Sequence, residues 1–120
     1  MLEIELDGDH SAYRSGSFLS GRIVWDMSQA PAAITACLSW STEGKGDDEG
    51  DTVIEQSWHP QSESGTQAFR WQLPRGPLSL DATLIRIRWS IDCSTESPDE
   101  ELSRPIVLSP RDRAIILKAI

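Results

Sequence analysis

The side chains of this 120-residue chain best suited to acid–base, nucleophilic or zinc chemistry are two histidines, His10 and His59, and two cysteines, Cys37 and Cys93. A nucleophilic site needs a histidine oriented by a second group and placed beside a serine or cysteine. His10 lies beside Asp9 and Ser11 in a turn, His59 is followed by Pro60, and no Gly-x-Ser-x-Gly elbow accompanies either, so no catalytic residue is assigned and no enzyme is expected. Neither Cys-x-x-Cys nor paired-histidine spacing is present, which removes the usual frame of a structural zinc site. The stretch Gly44-Lys45-Gly46-Asp47-Asp48-Glu49-Gly50-Asp51 is the one oxygen-rich segment, with Asp47, Asp48, Glu49 and Asp51 as its candidate cation ligands. It lacks the Asp-x-Asp-x-Asp-Gly order with a distal glutamate, and Lys45 competes with a cation, so it reads as a solvated hairpin loop. Binding of Ca²⁺ or carbohydrate through residues 43–51 is the alternative function. No glycine-rich phosphate cradle follows a strand, and no cofactor is expected.

The elements that must carry these residues are strands. From Leu84 to Cys93, Ile85, Ile87, Trp89, Ile91 and Cys93 share one phase while Arg86, Arg88, Ser90 and Asp92 share the other. A period of two with one wet face belongs to an antiparallel sheet packed on one side only. Six further segments follow the same logic: Leu2–Asp7, Gly21–Met27, Ala33–Thr42, Thr52–His59, Thr66–Leu73 and a short last one at Ile106–Leu108, where Pro105 demands an edge position or a strand start. The stretch Ser94–Ser103 reads as a polar loop. Trp25, Trp40, Trp71 and Trp89 each fall on an apolar phase, and Trp58 shares one with Ile54, so the five tryptophans read as core. About seven short alternating strands and no sustained helical period predict an all-β fold, an immunoglobulin-like antiparallel β-sandwich. It is expected to occupy residues 1–110.

Residues 111–120 form an apolar tail in which Ile115, Ile116, Leu117 and Ile120 invite burial, either as an extra strand on the chain's own sheet or against a second copy. With Arg86 and Arg88 on the wet phase, these are the candidate interaction residues. The formal net charge is −8, and between Glu43 and Glu63 seven acids face one base, Lys45. Such a surface disfavours nucleic acid and anionic lipid as partners. No apolar run approaches the span of a bilayer and the start lacks the character of a signal peptide, so no membrane insertion and a cytoplasmic location are expected. Cys37 is out of phase with Ile34, Leu38 and Trp40, which sends it to the face opposite Cys93 and predicts two free thiols.

The order of turns and strand ends resembles a known family. Tyr13-Arg14-Ser15-Gly16-Ser17-Phe18-Leu19-Ser20-Gly21-Arg22-Ile23-Val24-Trp25 is followed by Phe69-Arg70-Trp71-Gln72-Leu73-Pro74, by the corner Pro77-Leu78-Ser79-Leu80 and by the strand Ile85–Ile91. Together they are similar to the amino-terminal sandwich of the arrestin-like superfamily, which includes the retromer subunits of like shape. The resemblance implies a scaffold or adaptor that binds other proteins through a sheet edge or its loops, with self-association as one form. It does not carry over whole: those proteins hold two sandwiches in tandem, this chain has length for one, and the buried ion-pair switch of visual and beta arrestins has no counterpart in Arg86 or Arg88. On the residues alone, Gly16 and Gly21 are expected to supply positive φ around the turn into the second predicted strand.

Overall fold

The structure, a computed structural model, describes residues 1–8, 12–44, 50–76, 80–81, 85–109 and 115–116. Ten strands follow one another: β1 (Leu2–Leu6), β2 (Ala12–Arg14), β3 (Phe18–Asp26), β4 (Ala33–Gly44), β5 (Gly50–Trp58), β6 (Ser64–Gln72), β7 (Leu80–Asp81), β8 (Ile85–Glu96), β9 (Glu100–Ser109) and β10 (Ile115–Ile116). The seven expected strands are all present, and β2, β7 and β10 are short additions.

Two sheets result. The smaller has the order β1-β3-β6, and the larger runs from β5 through β4 to β8, whose far side is shared by β9 and β7. The long pairings are antiparallel, as the alternation requires. Two short ones are parallel, β2 on β9 and β10 on β7, because each of these strands returns to its sheet after a long connection and not through a hairpin. Among the described residues no helix is long and apolar enough to cross a membrane.

The inner faces meet in one core. The smaller sheet contributes Ile4, Leu19, Ile23, Trp25, Phe69 and Trp71; the larger contributes Ile34, Ala36, Leu38, Trp89, Ile91, Cys93, Ile106 and Leu108. Trp40 and Trp58 are half-buried and pack against this core, so all five tryptophans serve it. Burial of each large side chain is worth about 1.5–3 kcal/mol, which makes the alternating phase the main determinant of the fold. Among the described residues, polar links between the sheets include the exposed Met1 ammonium–Glu100 pair at 3.5 Å and two more sheltered ones. The Arg104 guanidinium of β9 donates to the Ile4 carbonyl of β1 at 2.8 Å, and the Trp71 indole N–H of β6 donates to Gln56 Oε1 of β5 at 3.1 Å.

Two local expectations need correction, and the edge position expected of Pro105 is met within a longer strand. Residues 94–103 are not a polar loop: β8 continues to Glu96 and β9 begins at Glu100, closed by Thr95, whose hydroxyl donates to the Pro98 carbonyl and accepts from the Glu100 N–H. Arg104 on the inward phase and Pro105 beside it had disguised the alternation of Leu102, Arg104, Ile106 and Leu108. Pro105 lies inside β9, opposite Ser90, in a stretch where β9 pairs on one side only among the described residues. Finally, Gly16 does have positive φ (78°), but Gly21 does not. Gly21 faces β1, and a Cβ there would stand 2.3 Å from the Glu5 carbonyl oxygen.

Candidate functional site

The strands on either side of the acidic stretch reach further into it than its sequence implies. β4 runs to Gly44 and β5 starts at Gly50, with Asp51 in register with Trp40 and exposed. Asp51 therefore lies at the start of β5, while Asp47, Asp48 and Glu49 lie outside the described residues. Among the described residues no group of three His, Cys, Asp or Glu side chains is placed to hold a metal ion. His10 also lies outside them, and His59 is exposed with Nδ1 3.0 Å from the Ala32 carbonyl oxygen.

Of the candidate interaction residues, Arg88 is exposed on β8, and the backbone of Arg86 pairs with Asp81 and Glu43. Ile115 and Ile116 form β10, parallel to Leu80 and Asp81 of the same chain. Leu117 and Ile120 lie outside the described residues. The backbone registers place Arg86 of β8 opposite Asp81 of β7, and Asp81 in turn beside Ile116 of β10, so the described interaction candidates lie at one end of the larger sheet.

What it does gather was not visible as a group in the sequence. Pairing places Asp92 of β8 between Cys37 of β4 and Ser103 of β9, with Ser39 opposite Ser90 one step along. Four strands, β5-β4-β8-β9, thereby expose a polar outer face carrying Glu55, Cys37, Asp92 and Ser103 side by side. Ser39 donates to Asp92 at 2.8 Å and Ser103 at 2.6 Å, and Ser90 reaches both carboxylate oxygens at 3.2 and 3.3 Å. An open depression of about 510 Å³ is lined here by Cys37, Asp92, Cys93, Ser94, Glu101, Leu102 and Ser103. The sequence signal was half there, since Asp92 is on the wet phase; the partners come from strands 11 and 53 residues away.

The thiols face opposite sides, as their phases require, and both are free. Burial, then the carboxylates of Glu55 and Asp92, raises the Cys37 thiol above its ordinary value. Burial first and Cys37 second push Cys93 up to about 12. Both thiols are therefore protonated at neutral pH, and the nucleophilic thiolate form is disfavoured.

The other distinctive surface is an edge. β5 pairs with β4 alone among the described residues, and most of its nine residues are exposed. Its register slips opposite Leu38 and Ser39, where Val53 is the extra residue of a bulge. On the smaller sheet, the exposed Phe18 ring lies under the Arg70 guanidinium at 4.2 Å.

No protein-family model matches this chain, and no curated protein does. Among solved structures, the fold is similar to that of Spo0M, a sporulation control protein from Bacillus subtilis, with a TM-score of 0.62 and 16% sequence identity. The likeness covers 90% of this chain and 48% of that one, so the chain spans about half the length of Spo0M. At this identity the comparison establishes the architecture: the chain is an all-β sandwich with the fold of part of Spo0M.

Proposed function

We propose that the chain is a non-enzymatic, arrestin-like protein-interaction module of the adaptor type, which takes partner segments along the free edge of β5. The observation that carries this reading is the edge itself. Among the described residues this nine-residue strand is paired on one side only, and main-chain hydrogen bonds to an added strand on the other side supply affinity without a deep pocket. The bulge at Val53 and the acids Asp51 and Glu55 discourage pairing with an equally acidic edge, which favours a neutral or basic segment over a second copy. Similarity to part of a sporulation control protein supports a regulatory setting over a catalytic one. The two free cysteines support a reducing, cytoplasmic environment.

Hydrogen exchange tests the proposal, with proteins encoded beside this chain as purified candidates. A genuine partner should slow exchange of amides within 50–58. Binding that leaves this segment's exchange unchanged refutes the edge mode.

A further inference from the structure

The Arg104–Ile4 and Trp71–Gln56 hydrogen bonds set β9 across from β1 and β5 across from β6. Among the described residues β5 and β6 are each the last strand of their sheet, so both sheets end on the same flank of the sandwich. On that flank the core is only half closed. Ile34, Ala36 and Leu38 of β4 are fully buried, whereas their partners one strand further out are not: Trp58 and Ile54 are half-buried and Gln56 is exposed. The other phase of β5 carries Glu55 and Ser57, both exposed, in register with Cys37 and Thr35. Ser57 already has a hydroxyl partner in Thr35 at 3.0 Å, while among the described residues Glu55 has no ion pair.

We infer that the β5 edge takes an extended segment of a protein partner with apolar side chains opposite Ile54 and Trp58 and a lysine or arginine opposite Glu55. Residues directly opposite across a sheet point to the same face, so the inward phase of an added strand lies against Ile54 and Trp58 and the outward phase beside Glu55. Apolar side chains on the inward phase complete the burial that β5 leaves unfinished. A cation on the outward phase gives Glu55 the partner it lacks within the chain. Main-chain pairing thus supplies the dock, and the two unlike faces of β5 select the occupant. A uniformly basic segment satisfies one face and a uniformly apolar segment the other. A second copy of β5 would bring another Asp51 and Glu55 to the same edge. The inference rests on the reading of β5 as the docking edge and names the class of segment that it takes.

The test uses the full chain and a dye-labelled peptide, Thr-Ile-Lys-Thr-Lys-Ile-Thr, which reads the same in both directions and spaces its isoleucines as Ile54 and Trp58 are spaced. Fluorescence anisotropy at about 0.15 M salt, where distant charges are screened, reads affinity. Hydrogen exchange reads location, and the bound peptide should slow the amides of 50–58. A block-ordered peptide of the same composition, Ile-Ile-Thr-Thr-Thr-Lys-Lys, cannot place both isoleucines inward and should bind about tenfold more weakly, the scale of one apolar side chain left unburied. Ile54→Thr should cost the alternating peptide a similar factor. Replacing both lysines of the peptide by glutamate should weaken binding by about threefold, the scale of an exposed ion pair. Glu55→Lys should reverse that preference, whereas Glu3→Lys, the same charge change on the outer face of the other sheet, should leave it as it was. Glu55 is exposed, so its variant keeps the test decisive where Ile54→Thr disturbs folding.

Equal binding of the block-ordered or the glutamate peptide would overturn the inference, as would a preference that Glu55→Lys does not reverse. So would the absence of binding up to about 1 mM peptide, or binding that leaves exchange at 50–58 unchanged. Protection of 50–58 that grows with the chain's own concentration, without peptide, would assign the edge to a second copy and overturn it too. Any of these failures with a purified partner still protecting 50–58 removes this class of segment and leaves the edge mode standing; loss of that protection removes the edge mode itself.

Discussion

Gly16 and Gly21 offer a test of why each glycine is needed, because they occupy neighbouring positions for different physical reasons. A Cβ on Gly21 would lie 2.3 Å from the Glu5 carbonyl oxygen and 3.2 Å from Leu6 Cα, both backbone atoms of β1. Since Cβ contacts below 3.0 Å are essentially never realised, Gly21→Ala must push β1 out by about 0.7 Å. β1 is an edge strand held by five residue pairs to β3 and by the Arg104–Ile4 hydrogen bond, so displacing it weakens several bonds worth about 0.5–1.5 kcal/mol each. Overpacking of this kind costs about 1–3 kcal/mol, and with the lost pairing we expect about 2–4 kcal/mol, a fall in Tm on the order of 10 °C. Gly16 has φ of 78° and nothing within 4 Å of its absent Cβ. Gly16→Ala should therefore cost only about 1 kcal/mol, the left-handed penalty partly offset by a stiffer unfolded chain. Asparagine separates the two causes: it tolerates the left-handed region, so Gly16→Asn should recover part of the loss, whereas Gly21→Asn should be worse than Gly21→Ala. Urea denaturation followed by tryptophan fluorescence measures all four variants. A Gly21→Ala protein within about 0.5 kcal/mol of the parent would refute the close-approach argument.

Three further outcomes follow from the same geometry. Arg104→Met, which keeps the apolar stem but removes the donor to the Ile4 carbonyl, should cost about 1.5–3 kcal/mol by urea denaturation and speed amide exchange in β1 before the rest of the sandwich. Thr95→Val leaves the Pro98 carbonyl and the Glu100 N–H without their hydroxyl partner and should cost about 1–3 kcal/mol, whereas an unchanged midpoint would mean water replaces it freely. Cys93 holds its proton more tightly folded (about 12) than unfolded (9.0), so its contribution is intact below pH 9 and is lost as pH rises toward 12. Stability should therefore decline across that window, Tyr13, raised above 10.0, adding in the same direction; Cys93→Ala should flatten the decline, and a parallel pH profile in that variant would show that the buried thiol is not its source.

Much of the sandwich was legible because burial on one face writes itself into a strand at a period of two. The inward sets of β3, β4, β6 and β8 are those the alternation names, and Cys37 and Cys93 part to opposite faces for the same reason. Only the Ile106–Leu108 end of β9 is legible in the sequence, because two residues break the code. Arg104 occupies an inward phase to reach another sheet's carbonyl, and Pro105 sits where pairing is one-sided. β2, β7 and β10 have only two or three residues each, too few to show a period. The polar cluster on the outer face was hidden more deeply, since Ser39 and Ser103 gain meaning only beside Asp92.

Fold class, inward faces and free thiols were thus set by the chain's own alternation, a local property that each strand carries alone. Strand order and register were decided only in three dimensions. They brought Ser39, Ser90 and Ser103 onto one carboxylate, left β5 at an edge and pressed β1 against Gly21. The physical reason is that periodicity tells which side of a strand is wet, whereas a site is made by which strands lie next to one another.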